Sequence, residues 1–340
     1  ISILNLKSSM SQRHQFRKFP LPPPKGSVPS YIWAPALLVT GGAAYVYWTC
    51  LDEVPLTHRK RLLVTSAEWE RQIGDQEYQF LRKRYGGQIL PPNHRASKTV
   101  QRVGSRLAVV THEFCQQHNL NHMMAGHGQH PPAFTYTVVR SEEANAFVLP
   151  GNHIFVLTGL FHYVRDEDEL AAVLGHEMAH NVARHVGERL TGSLLKNAIA
   201  SFLFFIDPSG FLSSIFMPAA TLLHDLPHSR ENECEADQIG LELAARACYD
   251  PKAAKRVFSA MKSGTTISGE RIPPEFISTH PSHERRIAQM DELLPLAIRT
   301  FERDDFGQSC QEVRKMMAKA RALAAVEASR REGAKSSALA

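Results

Sequence analysis

The hydrophobic pattern divides the start of the chain into a polar segment and an apolar one. Residues 1–30 lack Asp and Glu, whereas residues 31–51 carry no charged side chain at all. An apolar segment of 21 residues is long enough, as a helix, to cross the roughly 30 Å hydrocarbon core of a bilayer. Tyr and Trp near both of its ends suit the membrane interfaces. We predict a transmembrane helix at 31–51, preceded by a basic tail that is targeting-like or flexible. The alternative for 31–51 is a buried core helix.

Beyond this segment, the spacing of apolar positions is mostly helical. Two helices are predicted before residue 120, at Ala67–Arg84 and Ser97–His118. Residues 135–157 have a different period, and there we predict three short strands, at 135–139, 145–149 and 154–157. Helical spacing then returns in several stretches, at about 167–190, 229–248, 252–262 and from about 283 onward.

The predicted fold is therefore mainly α, of the α+β class, with a small three-stranded sheet in one domain over residues 53–310. A C-terminal helix and a frayed tail are expected at 311–340. Inside the domain, residues 198–223 are strongly apolar, and the Asp207–Gly210 segment divides them into pieces of nine and thirteen residues, each too short to span a bilayer. They form either a hydrophobic hairpin that dips into a membrane or closes over a site, or a helical hairpin in the core.

Composition narrows the possible functions. The chain has 340 residues with 39 Lys and Arg against 34 Asp and Glu, and five of the basic residues precede Asp52, the first acidic one. The rest of the chain is therefore balanced in charge, which disfavours nucleic-acid binding. A charged fraction of 21% beside a hydrophobic fraction of 43% excludes global disorder. Five cysteines without a CxxC pair disfavour a disulfide scaffold and a Cys-rich zinc finger.

The residues that carry chemistry begin with HEMAH at 176–180. On a helix, His176 and His180 are four residues apart and share one face, so both imidazoles can reach one metal ion. Glu177 lies beside them, where its carboxylate can take a proton from the attacking water. The acidic run at 166–169 favours the start of a helix there. The alternative is two histidines that only make hydrogen bonds.

A second cluster supplies the carboxylates that such a site needs. Catalytic zinc requires a third protein ligand and one open position. SRENECEAD at 229–237 places Glu233 and Asp237 four residues apart on a predicted helix, which suits a ligand and a carboxylate that orients a ligating histidine. Glu231 and Glu235 are expected to point elsewhere and to be solvated.

Together these motifs resemble the membrane-associated gluzincin metallopeptidases, the family that includes HtpX and the CAAX prenyl proteases. The resemblance rests on HEMAHNVARH (176–185) and SRENECEADQIG (229–240). NAFVLPGNHIFVLTGLF (145–161) is similar to the family's strand segment, and STHPSHERR (278–286) to its downstream His-Pro motif. The similarity covers about residues 95–295. The tail and the anchor are most similar to those of the mitochondrial inner-membrane, Oma-type branch, whose activity overlaps the m-AAA protease.

The resemblance implies a zincin-like helical domain that holds one Zn²⁺ per chain through three ligands, His176, His180 and Glu233. Glu177 is then the general base, and Asp237 orients a ligating histidine. We expect His280 to be the oxyanion donor, with a structural histidine as the alternative. Arg285 could be a buried ion-pair partner for Asp237.

A protease must also hold its substrate in an extended form. The strand Ala144–Leu149 could offer an unpaired edge to a substrate peptide, and its Asn145, Ala146 and Phe147 are the expected substrate-binding residues. The alternative is an ordinary core strand. Pairing through the backbone tolerates many sequences, which suits quality control.

The resulting hypothesis is a single-pass zinc metalloendopeptidase that cuts membrane-associated or misfolded proteins. The resemblance and the positive-inside rule place it in the mitochondrial inner membrane, with its catalytic domain facing the intermembrane space. Its partners would be protein substrates, the lipid bilayer through residues 31–51 and other copies in a homo-oligomer, with no nucleic acid. One alternative is a protease-like scaffold without activity, although HExxH and the third ligand are intact. Another is a bacterial envelope protease of the same family.

Overall fold

The computed structural model describes residues 30–120, 133–270, 275–280, 284–302 and 309–337. The chain divides into two units, residues 1–49 and residues 50–340. In the first unit, helix α1 (Ser30–Thr49) covers most of the predicted membrane segment. Its described side chains are exposed, including Leu38 at 77%. A transmembrane role for this helix stays a prediction, and the predicted tail lies outside the described residues except for Ser30.

The second unit opens with a β-hairpin that the hydrophobic pattern does not predict. Strands β1 (Leu51–Glu53) and β2 (Lys60–Leu62) pair in antiparallel fashion. Three residues are too few to show a period of two, and this explains the omission. Two predicted helices follow with nearly the expected bounds, as α2 (Ala67–Tyr85) and α3 (Arg95–Gln117).

The predicted three-stranded sheet is confirmed, and its topology determines which edge is open. It consists of β3 (Thr135–Val139), β4 (Ala146–Leu149) and β5 (His153–Leu157), in the order β3-β5-β4. β3 runs parallel to β5, with Thr135 opposite His153. β4 runs antiparallel to β5, with Phe147 opposite Phe155. β4 is therefore an edge strand of this sheet.

Helices make up most of the rest of the described chain, so the mainly helical α+β class is confirmed. In chain order they are α4 (Glu167–Val182), α5 (His185–Ile206), α6 (Phe211–Arg246), α7 (Lys252–Ser263), α8 (Glu275–Thr279), α9 (Glu284–Glu302) and α10 (Cys310–Ser337). α4 lies in the middle of the domain, in contact with α3, α6, α7 and β4. Its residues from Glu169 to His180 are all buried, which is typical of a helix surrounded by other elements.

The helix predicted at 167–190 is interrupted. Arg184 adopts the left-handed conformation, with φ 51° and ψ 40°, between the end of α4 and the start of α5. Its guanidinium donates to Glu70 at 2.6 Å and to the Thr65 carbonyl at 2.9 Å. These contacts with another part of the chain offset the cost of a left-handed non-glycine residue, about 1–2 kcal/mol, and they are invisible in the local pattern.

Helices α5 and α6 meet at Asp207–Gly210 and carry the apolar segment 198–223 on their adjoining ends. Phe205 is 83% exposed and Phe211 65% exposed, so the described side chains here are not part of the core. Among the helices whose side chains the structure describes throughout, His185–Ile206 is the one long and apolar enough to cross a membrane by length and composition; several side chains of α1 lie outside the description. The side chains of residues 218–229 lie outside the description.

The cysteines differ from the expectation in one respect. Cys248, just after α6, forms a disulfide with Cys310 at the start of α10. Their Cα atoms are 5.1 Å apart, within the range that a disulfide needs. A separation of 62 residues gives no local signal for this pairing, which depends on how α10 packs.

A close contact between glycines brings the two long helices of the site together. A Cβ atom added at Gly240 of α6 would lie 2.9 Å from the backbone nitrogen of His176 in α4. One added at Gly175 would lie 3.0 Å from the carbonyl oxygen of Gly240. The absence of both side chains allows the backbones to approach at the level of the HExxH motif.

We expect Gly240→Ala to destabilise the domain by about 1–3 kcal/mol, because the added methyl group meets backbone atoms that cannot move aside cheaply. Helix propensity alone would make alanine more stabilising than glycine by about 1 kcal/mol. A loss of stability in Gly240→Ala would therefore indicate the steric contact. Thermal unfolding measures it. Gly87→Ala, with no atom within 4 Å of the added Cβ, is the control and should be neutral; equal stability for both variants would contradict the contact.

Candidate metal centre

Helix α4 carries the HExxH motif in a rigid, dry environment. Asp166 caps the helix by accepting a hydrogen bond from the Glu169 backbone N–H at 2.8 Å, and this cap satisfies one of its free donors. His176 and Glu177 are each 1% exposed. The Nε2 atoms of His176 and His180 are 3.2 Å apart, so the two imidazoles converge as the spacing predicts.

Helix α6 brings the predicted carboxylates to the same point. A Glu233 carboxylate oxygen lies 3.3 Å from His176 Nε2, and the other lies 3.5 Å from His180 Nε2. Asp237, one turn further along α6, lies 3.0 Å from Nδ1 of His176. Glu233 therefore faces the space between the imidazoles, and Asp237 holds the far side of one ring.

His280, directly after α8, also faces this space. Its Nδ1 is 3.1 Å from Glu233 and 3.3 Å from Nε2 of His176. Its Nε2 lies 3.4 Å from Oε1 of Glu177, an oxygen that makes no hydrogen bond within the described part of the chain. The sequence pointed to His280 as an oxyanion donor, but the structure places its Nδ1 among the possible metal ligands.

The donor set fits a tetrahedral metal ion. One atom each from His176, His180, Glu233 and His280 lies within 4.8 Å of the others. Four ligands about 2.0–2.1 Å from a central zinc, at the corners of a tetrahedron, are separated by about 3.4 Å. Five of the six pairs of residues here, counting both Glu233 oxygens, have contacts of 3.1–3.5 Å. Lone pairs this close repel one another unless a cation or a proton lies between them. Imidazole nitrogen and carboxylate oxygen are the donors that zinc takes.

A buried partner of Asp237 is Arg286; the side chain of its neighbour Arg285, suggested by the sequence for this role, lies outside the described residues. Arg286 donates to both Asp237 oxygens, at 2.7 and 2.8 Å, and one of its nitrogens lies 3.0 Å from Glu233. The planar guanidinium pairs with both oxygens of a carboxylate, as arginine commonly does.

Burial and charge tune the ionisable groups in opposite directions. Burial raises the pKa of Glu177, which suits a general base working near neutral pH. Burial would also raise the pKa of Glu233, but the surrounding histidines hold it well below its usual value. Burial lowers the pKa of His180 well below normal. It would do the same to His176, yet hydrogen bonds to Asp237 and Glu233 raise that pKa to about 9.

The predicted substrate strand lies beside the motif. The backbone N–H of Val148, in edge strand β4, donates to Glu177. Of the three residues expected to bind substrate, Asn145 and Ala146 are buried, and Phe147 is half-buried against Phe155 with ring centroids 5.1 Å apart. The Asn145 carbonyl accepts from the Leu157 N–H inside the domain. The side chains of Asn145 and Ala146 are therefore enclosed by the domain, and substrate binding by this strand stays a prediction.

Sequence reasoning missed a buried set of partners behind the site. Glu235 was expected to be solvated, but it is 4% exposed and contacts His185 and Arg59. Burial would raise the pKa of Glu235, but hydrogen bonds from His185 and Arg59 lower it to about 2. The feature of the sequence that could have indicated a buried partner for Glu235 is His185, the last residue of HEMAHNVARH. Arg59 belongs to the unpredicted hairpin, and nothing in the local sequence indicated its contact with Glu235.

Comparison with known proteins agrees with this geometry. The sequence model of the family described as Peptidase family M48 matches residues 115–294 of this chain. This range includes all the residues that face the metal site. The chain belongs to peptidase family M48. This confirms the resemblance drawn from the motifs, and it makes the chain a metalloprotease with protein substrates and a bound metal.

The M48 chain is similar to several curated metalloendopeptidases. It is 34% identical over 86% of its length to the mitochondrial metalloendopeptidase OMA1 of Schizosaccharomyces pombe, of which it covers 80%. It is 30% identical over 79% of its length to the protein of the same name from Saccharomyces cerevisiae, of which it covers 76%. It also matches the mitochondrial metalloendopeptidase OMA1 of Danio rerio at 34% identity, covering 53% of that longer protein.

The M48 site predicts a sharp difference between two glutamates of helix α6. Glu233→Gln should lose most zinc binding, because an amide cannot supply the negative ligand that the two histidines surround. Zinc content and affinity measured by chelator competition test this. Glu231→Gln, two residues earlier and outside the cluster, should bind zinc as the wild type does; normal zinc binding by Glu233→Gln would refute the ligand assignment.

Proposed function

We propose that this M48 peptidase is a zinc metalloendopeptidase that hydrolyses membrane-associated or misfolded proteins. The observation that supports zinc is the convergence of His176, His180 and Glu233 at spacings that a tetrahedral ion produces. Glu177 would be the catalytic base, and Asp237 would orient His176 through its Nδ1.

The chemistry then divides between the metal and the chain. When bound, zinc supplies a water of lowered pKa and polarises the scissile carbonyl. Glu177 takes the proton of the attacking water and returns it to the leaving amine. Burial raises the pKa of Glu177, which favours the first transfer, because a stronger base takes the proton more readily; the more basic leaving amine then accepts it. The Val148 N–H holds the carboxylate in place.

His280 would act after moving away from the metal. A catalytic zinc site keeps one position open, yet Nδ1 of His280 lies close to both Glu233 and His176. We propose that His280 leaves this position when substrate binds and then donates to the oxyanion. The His280 ring is on a short segment after α8, whereas the other ligands are on long packed helices.

The substrate would bind as an added strand on β4. This strand is at an edge of the sheet, and its Val148 N–H already points toward the catalytic base. A peptide paired with β4 would pass close to Glu177. Contacts made through the backbone would accept many sequences, which is what the removal of misfolded proteins requires.

We place the enzyme in the mitochondrial inner membrane, anchored by residues 31–51. The names of its yeast relatives support the organelle, and the apolar helix α1 supports the anchor. The basic tail favours the matrix side, so the catalytic domain would face the intermembrane space. Assembly into a homo-oligomer is a further part of this proposal.

The exposed apolar ends of α5 and α6 would give the protease domain its own contact with lipid or with membrane-embedded substrates. Ile199, Phe202, Phe205, Phe211 and Phe216 are all more than half exposed. Exposed apolar surface of this extent marks an interaction site, and the protein substrates proposed here are themselves apolar.

The decisive experiment compares wild type with Glu177→Gln on an unfolded membrane protein in detergent. Glu177→Gln should retain zinc and the wild-type melting temperature but lose cleavage by at least about 100-fold, the lower range for general acid–base catalysis. Glu231→Gln is the control for charge removal and should cut normally.

Each other outcome has a definite meaning. Cleavage by both proteins would refute Glu177 as the base. If neither protein cleaves although both bind zinc, the chain as purified is a latent enzyme or a scaffold. Treatment with a chelator should abolish the wild-type activity, and added zinc should restore it.

A further inference from the structure

A second histidine lies directly behind the proposed metal ligand His180. Nδ1 of His185 is 2.7 Å from Nδ1 of His180, and both residues are buried. His185 Nε2, on the opposite side of its ring, lies 3.1 Å from a carboxylate oxygen of Glu235. The three side chains thus form a line, Glu235–His185–His180, that ends at the metal-facing Nε2.

The backbone is shaped to make this contact. In an uninterrupted helix, residues five apart point about 140° away from each other, so His185 could not face His180. The left-handed Arg184 ends α4 and turns the chain, which returns His185 to the ring of His180. A left-handed non-glycine residue is strained, and such backbone outliers cluster at functional sites.

The direction of the hydrogen bonds follows from the metal. A ligating His180 must present a lone pair at Nε2, so its proton is on Nδ1. That proton can be donated only if Nδ1 of His185 is the acceptor. His185 then carries its own proton on Nε2, where Glu235 accepts it. Each ring has only one tautomer that fits this line.

The far end of the line is held by the N-terminal hairpin. Arg59, in the loop before β2, donates to Glu235 at 2.7 Å and to Glu188 at 2.8 Å. Thr57 donates to the same Glu235 oxygen at 2.9 Å. Glu235 is therefore an ionised and oriented acceptor, because the segment 51–62 is docked against α5 and α6.

We infer that His185 is a positioning residue of the metal centre: it selects the metal-binding tautomer of His180 and holds its ring, with Glu235 and Arg59 as the anchor. This inference rests on the proposed function only in taking His180 as a zinc ligand. Second partners of this kind change metal affinity by about 10–100-fold.

The test measures zinc affinity of the full chain by chelator competition, with three variants. His185→Leu removes the acceptor and should weaken zinc binding about 10–100-fold. His185→Asn can place its amide oxygen where Nδ1 was, and should recover most of that loss. Arg314→Leu breaks the ion pair with Asp168 on the first turn of α4; it controls for lost stability and should keep wild-type affinity.

The results separate this inference from the function on which it rests. If wild type binds no zinc, or if Glu233→Gln binds it normally, the ligand assignment fails. If those two behave as expected but His185→Leu keeps wild-type affinity, the role of His185 is refuted. Equal losses in His185→Asn and His185→Leu would also refute it, as would a matching loss in Arg314→Leu.

A measurement on the wild type covers the case in which the variants do not fold. Long-range ¹H–¹⁵N spectra of histidine-labelled protein, with zinc bound, report which ring nitrogen carries the proton. The inference requires a proton on Nδ1 of His180 and on Nε2 of His185. An Nδ1 proton on His185 would overturn the inference.

Where His185→Leu does fold, the visible absorption of its bound Co²⁺ should also differ from that of the wild type.

Discussion

The structure depends on the burial of several ionisable groups around one point. Glu177, Glu233 and Asp237 lie in the interior together with the imidazoles of His176 and His180. An unpaired charge in such a place is costly, so each carboxylate must have partners. Arg286 and the histidines supply them within the described chain, and a bound cation would supply the rest. The fold can be understood as the framework that keeps these partners within reach.

Long helices meet this demand better than loops. α4 is packed on every side, and its glycine contact with α6 brings two backbones close enough for their side chains to share one ion. A site on such elements is held to tight tolerances before any ligand arrives. His280 differs because it follows the short helix α8. The same centre thus combines ligands from two long helices with one residue that follows a short helix.

The local pattern predicted the elements and the motif but not the partners. HExxH on a buried helix, Glu233 with Asp237, and the small sheet all follow from spacings of a few residues. The pairing of Asp237 with Arg286, the burial of Glu235, and the break at Arg184 do not. Each depends on a residue far away in the chain, such as Glu70 or Arg59, and local periodicity contains no information about such contacts.

The apolar ends of α5 and α6 leave the domain and return to it between the two ligand-bearing segments. Among the described residues, this excursion is joined to the site through the bases of the two helices, so changes at its tip are remote from the metal geometry. Its length and sequence are therefore free to diverge, since a longer connection costs little in closure entropy. The same metal chemistry could therefore be combined with different apolar surfaces by altering this one insertion point.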